Sequence, residues 1–275
     1  YFLIQFTSRR NFIPILSVYF LTLPNTYANQ IGLFTGIGYT AALLMQMPSG
    51  YIADHWWQKN TLIVSKILII CSSLAYIFAD GFWVFALGSI CMSLGINAFA
   101  SGTTSSFLKG TLEKLWRGGE YRVMASRVSG NVSLFSLIFI VTLPFLTDID
   151  IHYPLYIWLL LDIFWLFVAL SLVPVHTRIE KHEKKWIFTL ISEVRGKWFF
   201  SYAFFAAVIS WFLFADNAYR SPFLTELGYP LAYIGIVMGG SRIIWWAVGR
   251  SVKHIEKYIS CQKLRLVELF VFPAY

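Results

Sequence analysis

Asp162 and Arg242 are the residues whose chemistry stands out first, because each places an ionisable group inside an otherwise apolar run. A carboxylate there can carry a proton, answer a positive charge or stay neutral in a hydrogen bond. A guanidinium cannot shed its proton, so Arg242 requires water or a carboxylate partner. A second pattern is Ser93, Asn97, Ser101 and Ser105, which recur every four residues and on a regular helix would form one polar face. In an apolar solvent such a face must turn toward protein or water, either as a polar lining or as close helix packing. Ser129, Ser133 and Ser136 repeat the pattern more weakly.

Catalytic constellations are missing from the sequence. The five histidines, His55, His152, His176, His182 and His254, have no paired-ligand spacing, and no Gly-rich phosphate loop followed by Lys-Ser/Thr occurs. Three cysteines, Cys71, Cys91 and Cys261, have neither the number nor the spacing of a disulfide framework or zinc site. No metal, no cofactor and no enzymatic activity are therefore expected.

The elements that must position these residues follow from composition. A chain of 275 residues that is 57% hydrophobic, 19% aromatic and 13% charged cannot enclose that apolar surface in one water-soluble core. Eight apolar runs approach the roughly 20 residues needed to cross about 30 Å of hydrocarbon. They lie near 11–28, 31–53, 61–79, 82–107, 128–146, 153–175, 198–215 and 231–249, and a ninth starts near Val267. Their length and unbroken apolarity point to helices, since barrel strands alternate over about ten residues. At 1.5 Å per residue, Asp162 then sits roughly 14 Å and Arg242 roughly 16 Å from the same face of the membrane.

The net charge of +8 is explained by the connections rather than by a nucleic-acid-binding face. On one side lie 19 of the 22 basic residues, against Arg220 alone on the other. The positive-inside rule assigns the first side, and the beginning of the chain, to the cytoplasm of a multi-pass protein of the plasma membrane. Asp80, Asp148, Asp150 and Glu226 occupy the opposite connections.

Between the second and third runs stands Gly50-Tyr51-Ile52-Ala53-Asp54-His55-Trp56-Trp57-Gln58-Lys59, followed by Leu62. It resembles the signature loop of the major facilitator superfamily, Gly-x-Leu-Ala-Asp-[Arg/Lys]-x-Gly-[Arg/Lys]-[Arg/Lys]-x-x-Leu. Gly50, Ala53, Asp54, Lys59 and Leu62 are retained, whereas His55, Trp57 and Gln58 replace a base, a glycine and another base. A further likeness comes from Ile31-Gly32-Leu33-Phe34-Thr35-Gly36 and Ile234-Gly235-Ile236-Val237-Met238-Gly239, each of which opens a span from the same side.

The resemblance implies an all-helical membrane protein of two six-helix halves. Residues 1–175 would form the complete first half, 176–197 a basic cytoplasmic linker, and 198–275 the first two to three helices of the second. The chain is thus expected to be truncated at its end and at its start.

By the same resemblance it would be a secondary active transporter working by alternating access. Efflux of an amphipathic or drug-like compound is favoured over uptake of a small metabolite, with a polytopic membrane enzyme or a membrane scaffold as the rival classes. Arg242, Asn97, Ser101, Tyr19 and Trp211 would line the substrate pathway. Gly50, Asp54 and Lys59 would form the gating loop, and Asp162 is a candidate for proton coupling or for a neutral structural bond. The expected partners are the lipid bilayer and a small-molecule solute, with no nucleic acid, and the protein is expected to be monomeric. Where relatives end the fourth helix in Ser-Gly-Thr-Asp-Glu-Ala-Leu, this sequence has Ser101-Gly102-Thr103-Thr104-Ser105, and Gln46 replaces a frequent Glu. Two carboxylates are therefore absent from this half.

Overall fold

A computed structural model describes residues 1–8, 13–55, 58–173 and 218–258, together with positions 204, 208, 215 and 216. Its regular elements are helical: α1 (Phe2–Ser8), α2 (Ile13–Thr22), α3 (Asn29–His55), α4 (Gln58–Ile77), α5 (Phe82–Ser93), α6 (Thr103–Lys114), α7 (Tyr121–Leu146), α8 (Tyr153–Ser171), α9 (218–226) and α10 (Leu231–Tyr258). A π-helical turn, Leu94–Ala100, links α5 to the break before α6. Among the described residues, four continuous helical segments are long and apolar enough to cross a bilayer: Gln58–Ile77, Phe82–Lys114, Gly118–Leu146 and Tyr153–Ser171. Backbone polar groups have no water to bond in hydrocarbon, so apolar runs of this length close their bonds within helices.

The connections have local causes. Pro154 occupies the first turn of α8, where its missing N–H costs nothing. Just before it, the Asp150 carboxylate accepts from the backbone N–H of His152 at 2.8 Å and from its Nδ1 at 2.8 Å. These bonds, the backbone one foremost, hold the Asp150 carboxyl below the usual carboxylate range.

Residues 2–8, which lie before the apolar run near 11–28, are also helical and packed inside the bundle: Ile4 is fully buried, and Phe6 packs edge-on to Phe139 at 5.3 Å and against Trp158 at 6.0 Å. The Arg9-Arg10 pair masks this run in a hydropathy reading, and both arginines lie outside the described residues. So do the 176–197 linker and most of the 198–215 run.

One end of the bundle is filled with rings. Phe20, Phe34 and Phe85 sit mutually 4.9 Å apart, with Tyr76 4.6 Å from Phe85. Water expulsion contributes little to helix association within lipid, so this interlock and close helix approach carry the packing. One close approach joins α10 to α7. A Cβ added at Gly235 would lie 2.6 Å from the Ile140 carbonyl oxygen, and one at Gly239 2.8 Å from Val141. The repeated glycine pairs thus differ in use. Gly32 donates its N–H to the Tyr219 hydroxyl of α9 at 2.8 Å, while Gly36 faces open space.

Candidate functional site

A cavity of about 260 Å³ opens between the last turns of α3, the start of α4, the π-helical turn and the start of α6. Gln46, Gly50, Gln58, Asn97, Ser101, Thr103 and Ser106 lie on its wall. Three residues singled out from the sequence, Gly50, Asn97 and Ser101, are therefore brought together. Among the described residues, every polar side chain on its wall is uncharged.

The π-helical turn is what positions Asn97. Bonding to the fifth residue rather than the fourth widens the coil, and Ser101 N–H donates to the Ile96 carbonyl at 3.0 Å. Neighbouring helices hold the widened turn through its carbonyls: Ser49 donates to Ala98 O at 2.7 Å and Ser65 to Gly95 O at 2.8 Å. The four-residue serine stripe is accordingly broken up. Ser93 is buried next to Gly38 of α3, Asn97 and Ser101 line the cavity, and Ser105 bonds the Gly102 carbonyl at 2.7 Å. Gly102 has φ +55°, a left-handed turn suited to glycine, and there the helix restarts as α6.

Asp162 lies elsewhere, fully buried on α8 and 4.0 Å from the Lys66 ammonium of α4. Lys66 donates to Thr7 Oγ1 at 2.8 Å, and its Nζ stands 5.8 Å from the centre of the Trp165 ring. Lys66 was missed in the sequence, where Arg242 drew attention as the cation at matching depth. The signal was a lysine in the middle of the 61–79 run. The pair spans α4 and α8, with Thr7 adding α1.

Arg242 is half-buried on α10, and its Nε has no hydrogen-bond partner among the described residues. The register follows from the glycines. Gly235 meets Ile140 and Pro144, Gly239 meets Leu137 and Val141, and the antiparallel run carries Arg242 to the level of Ser136. Ser136 is fully buried, and its hydroxyl likewise has no partner among the described residues.

Tyr19 is enclosed in the aromatic end of the bundle, 1% exposed, and donates to the Tyr76 carbonyl at 3.0 Å, with His152 Nε2 3.3 Å away. It is not on the cavity wall. Lys59 reaches across to the end of α8 and donates to the Leu170 carbonyl at 2.6 Å, where a cation also meets the negative end of the helix dipole. Asp54 belongs to the last turn of α3. Trp211 lies outside the described residues. Among the described residues, no group of three or more His, Cys, Asp and Glu could hold a metal ion.

Comparison with known proteins agrees with this architecture. An "Uncharacterized transporter" of Buchnera aphidicola subsp. Schizaphis graminum (strain Sg) is 25% identical over 242 residues, which is 86% of this chain and 59% of that protein. The chain thus spans about 59% of the length of the curated relative it matches. The family model of the Major Facilitator Superfamily matches residues 1–270. With its helical bundle and membrane-length apolar segments, the chain belongs to the major facilitator superfamily.

Proposed function

We infer that the protein moves a small solute across the membrane by alternating access, as a secondary transporter rather than an enzyme or a scaffold. The observation that carries this reading is the cavity itself. A space of about 260 Å³ walled by Asn97, Ser101, Gln46 and Gln58, within a bundle of apolar helices, has no packing purpose and suits a polar group in transit. Export of an amphipathic compound is the favoured direction: polar uncharged groups at the cavity and an aromatic bundle behind it match a molecule with one polar end.

In this mechanism Asn97 and Ser101 hold the solute's polar end, and Arg242 orients or neutralises a charge from the α10 side. Asp54 and Gly50 belong to the gating loop, of which Gly50 lines the cavity. Asp162, beside Lys66, serves as an electrostatic tie between α4 and α8 rather than as the coupling carboxylate. Lys59 fastens the same two helices from the basic face. The basic connections face the cytoplasm, by the positive-inside rule.

Everted membrane vesicles from cells producing the full chain, energised by respiration, test the reading. They should accumulate a fluorescent amphipathic dye, and Asn97→Ala should reduce the initial rate at unchanged membrane abundance. Accumulation equal to that of vesicles lacking the protein, across cationic, neutral and anionic dyes, would overturn it. Accumulation only in right-side-out vesicles would favour uptake.

A further inference from the structure

Ser136 of α7 and Arg242 of α10 keep bonding capacity that the fold does not use. Ser136 is fully buried, and neither its hydroxyl nor the buried Arg242 Nε has a hydrogen-bond partner among the described residues. Other hydroxyls on these two helices are spent on their own backbone: Ser133 donates to Ser129 O at 3.0 Å, Thr142 to Ile138 O at 2.7 Å and Ser241 to Met238 O at 2.7 Å. That local bond is the usual outlet for a hydroxyl inside a helix, and Ser136 does not make it.

The two groups belong to one helix contact. Gly235 and Gly239 press α10 against Ile140, Val141 and Pro144 of α7. Arg242 stands one turn past Gly239 and Ser136 one turn before Ile140, so both lie just beyond this close approach, roughly 15 Å along their helices from Leu146 and Leu231. A guanidinium keeps its charge at that depth. Asp162, a buried carboxylate at similar depth, is engaged by Lys66 instead. Further along α10, Trp246 and Arg250 follow Arg242 at four-residue steps, and the exposed Arg250 guanidinium lies 5.9 Å from the centre of the Trp246 ring. A second cation on the same helical face raises the local concentration of an anion arriving from the side of the basic connections.

We propose that Arg242 and Ser136 together hold the carboxylate or phosphate end of the solute, which bridges α7 and α10. A water molecule would satisfy either group but leave the charge unanswered. An oxyanion accepts from the Nε–H and from the hydroxyl at once, and it neutralises the guanidinium. The transported compound is then an amphipathic acid. As the seat of a solute in transit, this site rests on the transport reading; as an anion site it does not. A protein that binds acids at Arg242 but moves nothing would sink the transport reading alone, and one that moves only neutral or cationic dyes would sink this proposal alone.

The test is thermal unfolding of the full chain in lipid-free maltoside micelles, followed by tryptophan fluorescence. Sodium benzoate and inorganic phosphate are titrated against benzamide, the uncharged counterpart of benzoate, at constant ionic strength; phosphatidylglycerol is titrated separately. A saturable rise in the midpoint with benzoate or phosphate, absent with benzamide, is expected. Ser136→Ala should weaken the anion about tenfold, the cost of one hydrogen bond to a charged group. Its unliganded midpoint should not fall, because no bond within the protein is lost. Arg242→Gln should abolish the response, and Arg242→Lys, which keeps the charge without the planar fork, should retain a weaker one. No rise with benzoate or phosphate, an equal rise with benzamide, a rise with phosphatidylglycerol alone, or an anion response unchanged in Ser136→Ala or in the Arg242 variants overturns the proposal.

Discussion

Breaking the Lys66–Asp162 pair should reveal how tightly α4 and α8 are tied. Both side chains are buried, 2% and 0% exposed, with 4.0 Å between Nζ and the carboxylate. At that separation two unit charges attract by about 4 kcal/mol if the effective dielectric is about 20. Removing one partner strands the other in the bundle, so Lys66→Met or Asp162→Leu alone should cost about 3–5 kcal/mol. The double variant removes both charges and should cost far less than the sum, giving a coupling of about 2–4 kcal/mol. Lys66 keeps its Thr7 bond when Asp162 is lost, so Thr7→Val should add to the damage in that background. The assay is reversible unfolding of micelle-solubilised protein by dodecyl sulfate, with the four members of the cycle compared at matched detergent composition. If the double variant loses as much as the two singles together, the charges do not feel one another and the tie is refuted.

Three further outcomes follow from the same geometry. Gly235→Ala should loosen the contact of α10 with α7, because its Cβ would meet the Ile140 carbonyl at 2.6 Å and Pro144 at 2.8 Å; cross-linking between introduced cysteines on the two helices should fall, whereas Gly36→Ala, with nothing within 4 Å, should be neutral or add up to about 1 kcal/mol. Arg242→Ala should lower the transport rate at least about tenfold without loss of folded protein, and Arg242→Lys should restore only part of it because the planar fork is gone; normal transport by the Ala variant would make Arg242 structural. Asp54→Asn should slow dye movement in the same vesicles while leaving insertion intact, and an unchanged rate would reduce this loop to a simple connection.

Much of the helical order is legible because apolar runs of membrane length have few alternatives, and the match of Gly50, Ala53, Asp54, Lys59 and Leu62 marks the family. The Gly235–Gly239 spacing likewise announces a close helix contact, though not which helix it meets. Three features escape a periodicity argument. The π-helical turn and the break at Gly102 change the number of residues per turn, so a stripe drawn at regular spacing from Ser93 to Ser105 does not remain on one face. Lys66 is hidden by the apolarity of its neighbours, and only its fully buried position beside Asp162 identifies it as the partner. Residues 2–8 are left out of the first apolar run because Arg9 and Arg10 interrupt the hydropathy, whereas packing of Phe6 on Trp158 makes them part of the bundle.

Alternating exposure of the cavity wall is the central claim, and cysteine accessibility tests it most directly. In a chain with Cys71, Cys91 and Cys261 replaced, Ser101→Cys is exposed to a membrane-impermeant thiol reagent applied separately from each side, with Asp150→Cys marking the face opposite the basic connections. The account predicts that Ser101→Cys reacts from the face bearing the basic connections, and that a transported dye slows that reaction while raising labelling from the opposite face. A thiol at position 101 that reacts from neither side, or whose labelling ignores the dye at every concentration, would contradict it.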